Sequence, residues 1–389
     1  MKKLPIRRVF YGLHLWLGVI SSVVLFIVCL SGCIYILRPF AETAMEPAKY
    51  YVASNTASQK IDVDELVGQL EREYDGDVRT VVMYANAKRA WMIVLIPHRN
   101  DDTSGRLMGR LLFVDPYAGK LTGEGSSRTA PFFEGVLGLH CRLWLPRSIG
   151  RPLVGVATIV FVVLLLTGLL LWVPIKWRNT KLWKLGFKIR FRKGTRLLLY
   201  DLHNTFGFYA AIPLLLLALT GLYWSFGWYR TGLVAILDNE SAAQQTQSQE
   251  PAISFFERQQ GPFRIGELLA RHETLYPGYG DVIVSLSNHD TLRIQKGGGG
   301  FWSFGLKDQL VWDRNRGTFQ SINRFADKTF GGKIFALISP IHQGDVFGTG
   351  SRVLFFAVSL IGGSLPMTGL LLCGKKLRRR TEKRKAAQP

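Results

Sequence analysis

The sequence predicts a membrane α-helical fold: a four-helix transmembrane bundle made from a two-span unit used twice, with an α+β domain outside the membrane in each half. Three observations carry this expectation. Four long stretches lack acidic and basic side chains, the basic residues gather in three places, and the two halves of the chain align with each other.

The charge-free stretches run from Tyr11 to Leu37, Pro152 to Ile175, Leu202 to Tyr229 and Val353 to Gly374. Each meets the roughly 20 apolar residues that a helix needs to cross the hydrocarbon. The first follows Lys2, Lys3, Arg7 and Arg8 and contains Leu30-Ser31-Gly32-Cys33, which is similar to a signal peptide ending in a lipoprotein cleavage box. The apolar run continues through Ile34, Tyr35, Ile36 and Leu37, where a processed chain would turn polar, and the segment recurs inside the chain, where no cleavage applies. An uncleaved span is therefore expected.

A net charge of +21 invites a nucleic-acid-binding reading, and the placement of the charge excludes it. Of the 49 Lys and Arg, 21 lie before the first span, between Lys176 and Arg196, or between Lys375 and Lys385, opposed there by Glu382 alone. The rest of the chain is close to neutral. By the positive-inside rule these three segments face the cytoplasm, and the two long connections face outward. The expectation is a multi-pass protein of a bacterial inner membrane with both termini cytoplasmic.

The repeat is direct. The first and third spans align without a gap: His14 matches His203, Gly18 matches Gly207, and Ser31-Gly32 matches Thr220-Gly221. The second and fourth spans are each preceded by a histidine, His140 and His342, and contain Thr167-Gly168 and Thr368-Gly369. Because each unit holds two spans, the copies are related by an axis along the membrane normal. Outside, Asp62 to Tyr74 has helical spacing, Val78 to Ile96 alternates like a strand, and a second strand pattern ends in the turn Asp115 to Gly119. The second half offers Ile265 to Tyr276, Asp281 to Ile294, and Leu310 to Trp312 running into Asp313 to Gly317. Asn239 to Pro251 is polar and reads as a linker. The chain divides into a basic start with span 1 (1–38), an outer domain (39–150), span 2 (151–175), a basic loop (176–197), span 3 (198–229), a second outer domain (230–350), span 4 (351–374) and a basic tail (375–389).

A span opening with Leu-His-x-Trp-x-Gly, outer helix-plus-strand units with an Asp-x-x-x-Gly turn, and spans ending in Thr-Gly resemble the PepSY-associated transmembrane proteins over nearly the whole chain. Within that family the sequence looks most like the inner-membrane ferric-siderophore reductases of the FoxB type. The resemblance implies PepSY-like outer domains, haem in the bundle, and reduction of siderophore-bound iron on the periplasmic side. Some members carry a fused cytoplasmic flavin reductase domain, whereas this chain ends in a basic tail at Pro389, so the electron donor is expected to be a separate cytoplasmic or membrane molecule.

Four of the seven histidines sit at matched positions beside the spans. His14 and His203 lie at the cytoplasmic ends of spans 1 and 3, and His140 and His342 lie at the periplasmic side before spans 2 and 4. Ionisable groups at membrane depth are costly and usually functional. Two layers of two histidines are the arrangement expected of two b-type haems, each with bis-His axial ligands. Seventeen residues of helix, about 25 Å, carry Ser31-Gly32 and Thr220-Gly221 from the inner to the outer layer, while Thr167-Gly168 and Thr368-Gly369 fall in the inner one. These small residues leave room for a porphyrin, or alternatively let helices pack closely. Cys29, Cys33, Cys141 and Cys373 form no Cys-x-x-Cys-His, so haem attachment is expected to be non-covalent. Zinc is disfavoured because no carboxylate or cysteine cluster completes four ligands, although Asp345 near His342 leaves a metal or proton role open. His98, His272 and His289 have no matched partners and read as surface residues; Tyr223, Trp224, Trp228 and Tyr229 read first as an interfacial aromatic belt.

The expected function is a haem-containing reductase that passes electrons across the membrane to a ferric siderophore. The alternatives are a haem-free scaffold or regulator with outer binding domains, and a transporter-associated protein. A transporter calls for broken helices or midplane charges, and the four spans lack internal charge.

Overall fold

Hydrocarbon offers a backbone no hydrogen-bond partners, so each apolar run must close its own bonds as a helix. The computed structural model describes residues 5–52, 59–98, 109–176, 178–237, 264–269, 280–286, 291–297, 307–313 and 318–385. Four helices are long and apolar enough to cross a membrane: Ile6–Ile36, Arg147–Trp172, Thr195–Ser225 and Thr349–Lys375.

The first half runs through α1 (Pro5–Ile36), α2 (Arg38–Met45), α3 (Pro47–Tyr50) and α4 (Val63–Tyr74) to strands β1 (Gly76–Met83), β2 (Trp91–Pro97), β3 (Arg110–Val114) and β4 (Leu121–Glu124), then α5 (Ala130–Arg142) and α6 (Arg147–Trp172). The second half runs through α7 (Thr180–Gly186), α8 (Thr195–Asp201), a π-helical turn (Leu202–Phe206), α9 (Gly207–Ser225), α10 (Gly227–Leu237), β5 (Val282–Ser285), β6 (Thr291–Gly297), β7 (Lys307–Asp313), β8 (Thr318–Asn323), α11 (Phe330–Gln343) and α12 (Thr349–Lys385). In the bundle α1 packs on α6 and α12, and α9 packs on the same two, so α1 and α9 face each other diagonally. Leu25, Phe161, Leu164, Leu165, Ala210, Leu214, Ala218, Val358 and Leu365 fill its middle.

The loop after α6 folds back on the third span. Trp172 stacks on Phe208 with ring centres 3.8 Å apart, and Trp183 and Phe187 meet Trp172 edge-on. Asp201, 2% exposed, takes bonds from the Arg190 side chain at 2.8 and 2.6 Å and from the Arg190 backbone N–H at 3.0 Å. The Thr205 hydroxyl donates to Gly186 O at 3.0 Å. These bonds bracket the π-helical turn, a feature that interrupts the 3.6-residue period and often marks functional positions.

Outside the bundle, the two α+β units expected from the sequence share one eight-stranded sheet of order β4-β3-β2-β1-β5-β6-β7-β8. Antiparallel pairing of Thr80–Met83 with Val282–Ser285 joins the halves through β1 and β5. The stretch Val78 to Ile96 is a hairpin of two strands rather than one. Helix α4 and residues 265–269, which are helical, cover one face, burying Leu66, Val67, Ile265 and Leu268 against Val81, Ile93, Val284 and Ile294. Asp62 caps its own helix at Asp64 N and Glu65 N, while the Asp64 carboxylate caps the other half's helix at Ile265 N (2.7 Å) and Gly266 N (2.8 Å). A carboxylate at a helix N-terminus satisfies donors that have no partner within the helix. Buried Lys49 donates to the carbonyls of Glu124, Gly125 and Ser126 and ties α3 to the end of β4. The Asp115 turn forms as its sequence predicts, with Asp115 Oδ1 accepting from Tyr117 N and Ala118 N and Gly119 at φ 65°. The linker Asn239 to Pro251, His272, His289 and the turn residues 314–317 lie outside the described residues.

Leu66 is fully buried between α4 and the sheet. Leu66→Ala should cost about 2–5 kcal/mol by the lost burial and the cavity left behind, read as a lower melting temperature of the detergent-solubilised protein. An unchanged melting temperature would mean that this layer is not part of the cooperative core.

Candidate functional site

The four matched histidines come together in two pairs. His14, on α1, and His203, in the π-helical turn, have ring centres 6.2 Å apart and planes at 88°. His140, near the end of α5, and His342, near the end of α11, have ring centres 6.1 Å apart and planes at 54°. One pair therefore lies at the end of the bundle that carries the basic loop, and the other at the end that carries the sheet. The outer histidines sit on short helices outside the spans; left-handed residues, Leu143 at φ 53° and Gly344 at φ 73°, close those helices just after them.

All four rings are held in one way. His14 Nδ1 is 3.0 Å from Thr167 Oγ1, and His203 Nδ1 is 2.9 Å from Thr368 Oγ1. His140 Nδ1 is 2.9 Å from Val28 O and 3.5 Å from Ser31 Oγ. His342 Nδ1 is 3.0 Å from Thr220 Oγ1 and 3.1 Å from Leu217 O. A carbonyl only accepts, so Nδ1 carries the proton in the outer pair. In the inner pair the threonine hydroxyls donate to carbonyls of their own helix, Thr167 to Val163 O and Thr368 to Ser364 O, and their oxygens are left to accept from Nδ1–H. Among the described residues no Nε2 of the four is hydrogen-bonded, so each ring keeps one lone pair free.

The glycine of each Ser/Thr-Gly step lies against a histidine ring. A Cβ at Gly168 would lie 3.2 Å from His14 Cε1, at Gly32 3.0 Å from His140 Cε1, at Gly221 3.1 Å from His342 Cε1, and at Gly369 3.5 Å from His203 Cε1. The space is filled by the imidazole itself. Each step thus seats one histidine of the same half: the hydroxyl or adjacent carbonyl takes Nδ1–H, and the glycine admits the ring.

A cavity of about 1150 Å³ opens around the inner pair, lined by His14, His203, Phe161, Leu164, Trp172, Phe208 and Leu365, with Arg7, Arg8, Lys193 and Arg196 among its walls. Arg7 also donates to Leu171 O and Val173 O at the end of α6. Among the described residues no group of three or more His, Cys, Asp or Glu is placed to hold a metal ion, and the four cysteines are free thiols. Asp345 pairs with Arg352 at 3.5 Å, its Oδ1 has no hydrogen-bond partner among the described residues, and burial raises its carboxyl above the usual range against the opposing pull of Arg352. His98 lies in the outer domain between Asp77 (2.9 Å) and Asp75 (3.3 Å), which raise its pKa.

Sequence reasoning missed the role of one belt aromatic. Trp224 lies against His342 with ring centres 5.0 Å apart; its i+4 spacing from Thr220 on one helix face is the signal that could have found it.

The model of the PepSY-associated TM region family matches residues 11–376. No curated protein matches the chain.

The inner rings depend on a hydroxyl acceptor, which yields a direct test. Thr368→Val should lower thermal stability by about 1 kcal/mol relative to Thr368→Ser, because only valine removes the acceptor from a buried N–H. Equal melting curves for the two variants would mean that the hydroxyl does not hold His203.

Proposed function

Because this chain belongs to the PepSY-associated TM family, we propose that it is a haem-containing reductase of the bacterial inner membrane, carrying electrons from a cytoplasmic or membrane donor to a ferric siderophore on the periplasmic side. The observation that carries the reading is the spacing of the two imidazole pairs. An imidazole nitrogen sits about 2 Å from a metal it binds and about 1.1 Å from its own ring centre, so two imidazoles that would share one metal can have centres up to about 6.2 Å apart. The pairs stand at 6.2 and 6.1 Å. Two imidazoles leave a metal short of donors, and no further His, Cys, Asp or Glu joins them among the described residues. The group that suits such a pair carries further donors of its own, as haem does, and the two imidazoles of a layer would hold its iron.

When bound, haem supplies a one-electron ferric–ferrous couple at each layer. The residues do the rest. Nε2 of His14 and His203 would hold the inner iron, and Nε2 of His140 and His342 the outer. The Nδ1–H bonds fix each ring and raise its basicity. Arg7, Arg8, Lys193 and Arg196 suit the acidic edge of such a group in the inner cavity. The apolar packing between the layers excludes water from the path. The basic segments support an orientation with the inner pair on the cytoplasmic side and the sheet in the periplasm.

Purified protein should show a reducible low-spin b-type spectrum with two haems per chain, and His203→Ala should remove or convert one haem while sparing the other. Haem-free protein would favour the scaffold reading; a variant that alters both haems equally, or neither, would overturn the pairing. Reporters fused after Arg192 and after Lys385 should read cytoplasmic and one near Gln247 periplasmic; a cytoplasmic reading at Gln247 would overturn the orientation.

A further inference from the structure

The two halves differ where the outer pair meets its surroundings. On α9, Thr220 binds His342 Nδ1, Gly221 admits its ring, and Trp224, one turn further on, lays its indole against that ring with centres 5.0 Å apart and planes at 55°. Helix α9 ends at Ser225, so this indole stands at the sheet-side end of the span, and it is 42% exposed. The matched residue of the first half, Tyr35, instead meets Phe133 at 6.4 Å and receives the Arg38 guanidinium over its ring at 5.9 Å. Among the described residues the only rings that meet an outer histidine are the partner imidazole and Trp224.

We propose that Trp224 is the electron-exit residue: its indole bridges the outer histidine pair to an acceptor that packs on its exposed face. A flat, polarisable ring touching a ligand imidazole on one side and open on the other gives the acceptor a continuous path of contact, and gives a large chelate an apolar surface to seat on. The inference rests on the reductase reading. One electron leaves the reduced group at the outer pair, which is oxidised by one electron; a chelated ferric ion becomes ferrous; the indole is unchanged, and no proton is transferred. His140 has no such ring, so the exit is on the His342 side alone.

The test uses the full chain in nanodiscs, loaded with haem and reduced with a limiting amount of dithionite, and compares wild type with Trp224→Leu, Trp224→Phe and Trp228→Leu. Trp228 is 63% exposed and touches no histidine ring, so its variant controls for loss of a surface indole. Trp224→Leu should slow reoxidation by a ferric trihydroxamate chelate about tenfold, with haem content and the ferrous and ferric spectra unchanged and with reoxidation by ferricyanide little affected. Trp224→Phe should recover most of the rate. A second measurement needs no turnover: haemin added to apoprotein should quench a share of tryptophan emission that is missing in Trp224→Phe and present in Trp228→Leu. Equal chelate rates in wild type and Trp224→Leu would overturn the exit role while leaving the reductase reading intact. Equal slowing with both oxidants would overturn it in favour of a packing defect. A wild type that takes up no haem would remove both readings together.

Discussion

The site depends on one hydrogen bond made four times, from imidazole Nδ1–H to an oxygen on a neighbouring helix. A histidine in an apolar bundle has two ring nitrogens to account for, and a buried N–H without a partner costs about 1–3 kcal/mol. Each Ser or Thr of the four steps spends its own hydroxyl hydrogen on a carbonyl one turn back, at 2.6 to 2.9 Å. Its oxygen can then act only as an acceptor toward the ring. The helix backbone thereby sets the tautomer, and the tautomer leaves Nε2 with a lone pair. The glycine beside it lets the ring come close enough for the bond to form.

That bond also explains the division of labour between the elements. The inner histidines belong to spans 1 and 3, which face each other across the bundle, and each is clasped by the other span of its own half. The outer histidines belong to α5 and α11, which enter the bundle from the sheet. Their separation is set where α5 packs on α1 and α6 and α11 packs on α9, with His140 held by Val28 O and His342 by Leu217 O. The β1–β5 pairing and the Asp64 cap join the two halves separately, in the sheet.

Much of this was legible in the sequence, and the missing parts have physical causes. Charge-free runs and clustered Lys and Arg mark the spans because bilayers impose both. The gapless match of His14 with His203, and of Ser31-Gly32 with Thr220-Gly221, identifies the depths of the layers because helical rise converts residue number into height. Lateral neighbours are not encoded that way. Nothing in Thr167-Gly168 states that its glycine receives an imidazole rather than a porphyrin edge, since both need the same absence of a side chain. Alternation in Val78 to Ile96 shows which residues share a face, but not that β1 pairs with a strand some 200 residues away. The π-helical turn at His203 has no residue signature of its own; it becomes intelligible once Arg190 is seen to hold Asp201 and Gly186 to accept from Thr205.

The near-symmetry of the halves gives two histidine pairs but gives no direction, because two equivalent halves would treat their four histidines alike within each layer. Direction has to come from the departures. In the inner layer the departure is the π-helical turn around His203, flanked by bonds between the folded basic loop and Asp201 and Thr205, while His14 rides on uninterrupted helix. In the outer layer it is Trp224 on His342, against Tyr35 on Phe133. Both departures fall on the second half, so that half connects the histidine pairs to the basic loop at one end and to the exposed indole at the other. The first half supplies the matching histidine positions, and the second carries the contacts that set each pair apart from its counterpart.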